Sequence, residues 1–261
     1  MAFYADLFRY RDLFLNLFRR EFQLRYKGSF LGVGWSLVYP LTLMAVYTVV
    51  FSVLWQAFTI HHYALFVLSG LATWIFFSST LQRASTSLLA QATLLKQVRF
   101  PRQLLVLAVV GAQVVPFVAM LIVLLAVNLI VLPETRSTFW VVIPFAIVEM
   151  AFVTGLALAV ASVNARFRDV EHILGAILLP WFFLTPVVYT FDALPGPQLL
   201  AEVIHWGNFV APVTEGLRDP LFFGRYPSGG DTLYSIGVAL AALFLGALLF
   251  IRTDDRLAAE L

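Results

Sequence analysis

Apolar residues fall in six long runs separated by short polar breaks. A helix needs about 20 consecutive apolar residues to cross the hydrocarbon of a bilayer. The runs at Leu31–Gln56, Ala64–Leu81, Leu104–Leu132, Phe139–Val163, Ile173–Tyr189 and Leu233–Ile251 come close to that length. They predict an all-α integral membrane protein with six transmembrane helices, built as one domain over residues 1–261. Several runs contain proline, at Pro40, Pro116, Pro144, Pro180 and Pro186. Membrane helices accept it because neighbouring groups re-satisfy the freed carbonyls. No internal repeat and no low-complexity linker divides the chain.

Three further segments have a pattern but cannot span. In residues 1–30, polar positions recur at Arg9, Asp12, Asn16, Arg19, Gln23 and Lys27, in steps of three and four. Phe3, Leu7, Tyr10, Phe14, Leu17 and Phe18 fill another face. That pattern predicts an amphipathic helix lying in the membrane interface. It has neither the apolar core nor the cleavage site of a signal peptide. Residues 84–103, with SLLAQATLLKQVRFPRQ at their centre, predict a short cytoplasmic helix ended by Phe100-Pro101. Residues 192–231 are unusually apolar for an aqueous loop. QLLAEVIHWGNFVAP and VTEGLRDPLFFG within them are helix-like but too short to cross, and prolines 195, 197, 212, 220 and 227 punctuate them. Such pieces read as outer re-entrant or interfacial helices.

Charge orients the set. Only 12% of residues are charged and the mean hydropathy is +0.89, against about 25% charged in soluble domains. With the N-terminus inside, fourteen of the 17 lysines and arginines face the cytoplasm, and Arg136, Arg218 and Arg225 lie outside. This bias places both termini in the cytoplasm. A formal charge of +2 is too small to suggest nucleic acid as a partner. The absence of cysteine excludes disulfides and thiolate chemistry. Four histidines are too scattered for a metal site, and adjacent His61 and His62 do not share a helix face. No Gly-x-x-x-x-Gly-Lys-Ser/Thr is present, so any ATP driving the protein binds another subunit. No catalytic motif is present, and neither a metal nor a cofactor is expected on this chain.

A few polar and aromatic positions inside the runs stand out. Gly28-x-x-x-Gly32 has the spacing of a close helix contact. Glu149 is the one acidic residue deep in a predicted span, about 16 Å from its outer end at 1.5 Å per residue. A carboxyl in hydrocarbon marks either a function or a buried polar contact. Gln113 sits at a similar depth, and the expectation is that Glu149 joins the third and fourth spans rather than lining a path. Trp35 and Tyr39 are four apart on one helix face, beside Pro40, which is expected to open the helix. Their rings suit both sugar faces and lipid headgroups.

Four segments carry a resemblance: RYKGSFLGVGWSLVYPL at 25–41, LLKQVRFPRQ at 94–103, NARFRDVEHIL at 164–174 and NFVAPVTEGLRDPLFFG at 208–224. In this order and topology they resemble permease subunits of ABC-2 type exporters for lipid-linked polysaccharides, such as O-antigen and wall teichoic acid. Phe209 and Ala211 depart from the Asn-Pro-Leu-Thr-Pro of relatives. The resemblance implies that two copies pair in the bacterial cytoplasmic (inner) membrane, each with a separate ATPase that carries ATP and Mg. Residues 84–103 would be the coupling helix, with Leu94, Leu95, Lys96 and Arg99 near the ATPase. The outer helices would close a pore that threads a glycan on polyprenyl diphosphate. The same family pattern grades into exporters of capsule polysaccharide, drugs or other lipids. A membrane-embedded glycan-modifying enzyme would need acidic, basic or histidine side chains gathered at one depth, and Glu149 stands nearly alone.

Overall fold

The computed structural model describes residues 10–54, 60–91, 100–191 and 198–260. Among the described residues there are nine α-helices and no strand. They are α1 (Arg11–Tyr26), α2 (Trp35–Thr48), α3 (Tyr63–Ala90), α4 (Gln103–Val131), α5 (Val142–Arg166), α6 (Asp169–Leu184), α7 (Gln198–Gly207), α8 (Ala211–Arg218) and α9 (Gly229–Glu260). A short 3-10 turn leads into α2 and a wider π turn extends it, giving a continuous apolar stretch over Gly32–Leu54. Pro40 does not open this helix, which runs on through it.

Among the described residues, five stretches are long and apolar enough to cross a membrane: Gly32–Leu54, Tyr63–Ala90, Gln103–Val131, Phe139–Arg166 and Gly229–Thr253. The remaining expected span, Ile173–Tyr189, overlaps α6, which at 16 residues is shorter than these five. At 1.5 Å per residue α6 reaches only about 24 Å. It stops because Pro186 supplies no N–H and biases the residue before it away from helix, and Thr185 is indeed extended.

The helix α1 is amphipathic as predicted, but protein covers part of its apolar face. Phe14, Phe18, Phe22 and Tyr26 follow one another at ring separations of 6.4, 6.1 and 5.1 Å. A Cβ on Gly111 of α4 would stand 3.3 Å from the Phe18 ring, so this glycine admits the aromatic ladder. Leu17 is buried with Leu88, Leu104, Leu158 and Phe250 in a cluster of its own. Gly28 and Gly32 serve a different purpose from the one their spacing suggested. Both have positive φ, at 78° and 50°, and a Cβ on either meets nothing within 4 Å. They turn the chain between α1 and α2, which glycine does without steric cost.

The helix α3 runs to Ala90, nine residues beyond its predicted end, and absorbs the first turns of the segment expected as a separate coupling helix. Leu94, Leu95, Lys96 and Arg99 lie outside the described residues. The most extensive helix pairing is α5 with α9. Small residues bring their backbones together: a Cβ on Gly155 would lie 2.2 Å from the Ala242 carbonyl carbon, and one on Gly246 would lie 2.0 Å from the Gly155 oxygen. Helices in lipid associate through such close packing, since the solvent offers little drive to exclude apolar surface.

Candidate functional site

A cavity of about 310 Å³ opens between the end of α1, α2, α3 and α4. Trp35 and Tyr39 form one wall, and Gln82, Arg83, Arg25 and Gln113 supply its polar groups. Trp35 is 52% and Tyr39 57% exposed, so both rings present free faces. Gln113 accepts a hydrogen bond from the Arg25 guanidinium and donates to the Ser79 carbonyl at 3.3 Å. It therefore joins α4 to α1 and α3. A second cavity of about 260 Å³ shares Tyr39, Ile75, Ser79 and Gln82 with the first, and continues past Tyr47, Trp74 and Ser78 to Phe182 of α6. Tyr47 stacks on Phe182 at 5.5 Å, and Trp74 meets the same ring edge-on at 5.5 Å. Together the two cavities make a groove with aromatic walls and a hydroxyl-and-amide floor.

Glu149 is 2% exposed and its Oε2 has no hydrogen-bond partner among the described residues. One turn away on either side, Phe145 packs against Gly216 and Phe152 stacks on Phe77 at 6.1 Å. The carboxyl thus sits in an aromatic setting away from the groove.

The region from the end of α6 to α8 is held by Arg218, which charge counting placed among the outside arginines. Arg218 is 1% exposed. Its guanidinium donates to the carbonyls of Pro186 and, at 2.9 Å, Val187, and its Nε to Ser69 Oγ at 3.3 Å. The Phe66 ring lies beneath it, 4.2 Å from centroid to Cζ. The break after α6 leaves carbonyls that no helix satisfies, and such groups must find partners where water is excluded. Arg218 provides two of them. The Tyr63 hydroxyl donates to Val188 at 2.6 Å, and the Asn208 amide donates to Leu184 at 3.1 Å and to the Thr185 hydroxyl at 2.9 Å. Asn208 also accepts from the Trp181 indole at 2.8 Å. Gly70 makes the arrangement possible, because a Cβ there would lie 2.1 Å from the Arg218 guanidinium and 2.6 Å from the Val187 oxygen.

Two more contacts explain sequence motifs. Buried Asn164 donates to the Ser85 carbonyl at 2.8 Å and accepts from the Glu171 N–H at 3.0 Å, so it ties the α5–α6 turn to α3. His205 of α7 contacts Glu215 of α8 at 2.9 Å through Nδ1 and Asp231 of α9 at 2.8 Å through Nε2. Hydrogen bonds to Asp231 and Glu215 push the imidazole up to about 9 against the opposing effect of burial. It is therefore protonated at neutral pH, with both ring nitrogens donating. No periodicity marked Arg218 or His205. Their only signal is that each sits among short apolar pieces that need polar anchors.

Helices long enough to cross a membrane, together with short helices pinned through buried polar groups, define a multi-pass membrane protein. The ABC-2 type transporter family matches residues 12–222. The O-antigen export system permease protein RfbA of Myxococcus xanthus is 33% identical over 249 residues, 94% of each chain. Two proteins of the same name from Klebsiella pneumoniae are 28% and 31% identical over 185 and 186 residues, 70% of this chain and 71% of theirs. The chain belongs to the ABC-2 type transporter family and is a transporter membrane subunit.

Proposed function

We propose that this chain is the membrane subunit of an ATP-driven exporter that moves an O-antigen-like polysaccharide, linked to polyprenyl diphosphate, out of the cytoplasm. The groove of Trp35, Tyr39, Tyr47 and Trp74 above Ser78, Ser79 and Gln82 carries this reading. Aromatic faces take up the apolar faces of sugar rings, and hydroxyl and amide groups meet their edges. A moving polymer needs weak, repeated contacts, as ions do in a multi-site channel.

In this reading the protein sits in the inner membrane with both termini in the cytoplasm. Two copies pair to enclose the path. The exposed faces of α2 with its π-turn extension (Val46, Val49, Val53) and of α6 (Leu179, Phe183) supply apolar surface for pairing. Each copy works with one ATPase subunit, which binds ATP and Mg, and Leu94, Leu95, Lys96 and Arg99 sit near that contact. The outer helices α7 and α8 close the far end.

The test replaces both Trp35 and Tyr39 with leucine. Leucine keeps apolar surface for lipid but offers no stacking face. Surface glycan is expected to fall about tenfold, with the permease–ATPase complex assembled at its normal level. The tenfold figure corresponds to about 1.4 kcal/mol, the scale of one or two lost ring contacts. Unchanged surface glycan would remove the sugar-contact role and leave both rings as membrane anchors.

A further inference from the structure

We propose that Arg25 and Arg83 form a phosphoryl-binding site at one end of the groove. The lining of this cavity includes both arginines and no aspartate or glutamate. Arg25 is oriented by its hydrogen bond to Gln113, a neutral partner that leaves the positive charge uncompensated. The ion pairs of Arg11, Arg225 and His205 include neither Arg25 nor Arg83. Burial pulls the Arg25 guanidinium below its usual range, and repulsion from Arg83 adds to the shift, against an opposing pull from Tyr26. Arg25 is partly buried and Arg83 is exposed on the same cavity, and their mutual repulsion is relieved when an anion joins them.

The geometry favours phosphate over other anions. Guanidinium forks match the paired oxygens of a phosphoryl group, and two forks from different helices suit a group with several oxygens and more than one charge. Trp35 and Tyr39 stand in the same cavity, so an anion bound there has a ring platform beside it for an attached sugar. Phosphate bearing a sugar on one side and a lipid on the other satisfies all three features. The assignment of this phosphate to a transported lipid-linked glycan rests on the exporter reading. The presence of an anion site does not, since a membrane phospholipid headgroup carries the same chemistry.

The experiment uses the full chain in phosphatidylcholine nanodiscs. Binding of a short-chain polyprenyl diphosphate, of the matching polyprenyl alcohol and of phosphatidylglycerol is measured for wild type, R25Q/R83Q and R25K/R83K. Wild type is expected to bind the diphosphate at least tenfold more tightly than the alcohol. R25Q/R83Q is expected to lose that preference, and R25K/R83K to keep part of it. Melting temperatures of the three proteins separate lost binding from lost fold, and the lysine variant keeps the test valid if the glutamine variant unfolds. Equal diphosphate binding by wild type and a folded R25Q/R83Q overturns the site; where R25Q/R83Q unfolds, undiminished diphosphate binding by R25K/R83K does so. Phosphatidylglycerol binding as tight as diphosphate binding overturns its assignment to transported substrate. Arginine-dependent diphosphate binding by a chain that exports no glycan upholds the site and counts against the exporter reading alone.

Discussion

Methionine in place of Arg218 is expected to lower stability by about 3–5 kcal/mol, the scale of breaking a buried charged network. Replacing a buried charge with an apolar side chain is sometimes neutral, because the desolvation cost disappears with the charge. Here the partners decide against that outcome. The Pro186 and Val187 carbonyls accept from Arg218 because the chain is not helical there. Methionine leaves both unsatisfied in a dry site, at about 1–3 kcal/mol each. Gly70→Ala should act on the same unit, because its Cβ would occupy the space of the guanidinium. The double variant should therefore be less destabilised than the sum of the two single variants. Melting in detergent, followed by size-exclusion fluorescence, reads all three. Unchanged melting of R218M would show that the outer region does not depend on this anchor.

Gly155→Val is expected to destabilise the α5–α9 seam by about 3 kcal/mol or more, at the upper end of overpacking costs. Its Cβ would stand 2.2 Å from backbone of α9, which cannot rotate away as a side chain can. The helices must separate, and the contacts along the seam go with them. Gly175→Ala on α6 is the control, since a Cβ there meets nothing within 4 Å. The amount of monodisperse protein recovered should collapse for the first variant and stay level for the second. Equal recovery of both would contradict the close seam.

Length and polarity explain what was legible in the sequence. Four of the five long apolar stretches were found to within a few residues at both ends, and α3 at its start only, because hydropathy over about 20 residues is a strong signal. The apolar run at Ile173–Tyr189 is longer than the helix it contains, since apolar Val187 and Val188 lie beyond the end of α6. Hydropathy does not register that Thr185-Pro186 breaks the backbone. Trp35 and Tyr39 were singled out by spacing, but the company of Arg25 and Arg83 depends on how α1 folds back on α4. Glu149 was conspicuous by its charge, yet it lies apart from the groove. Arg218 was hidden by the opposite error: an arginine in an outer segment counts as exposed until the tertiary fold buries it.

The most direct test of the exporter reading follows a lipid-linked glycan across a vesicle wall. Vesicles are loaded with the permease alone, with its genomic-neighbour ATPase alone, or with both. Glycan reaching the far face is detected by an impermeant lectin. The expected result is movement that requires both subunits and hydrolysable ATP, and that falls about tenfold with W35L/Y39L. Equal movement by the permease alone, or none with an assembled and ATP-hydrolysing pair, would contradict it.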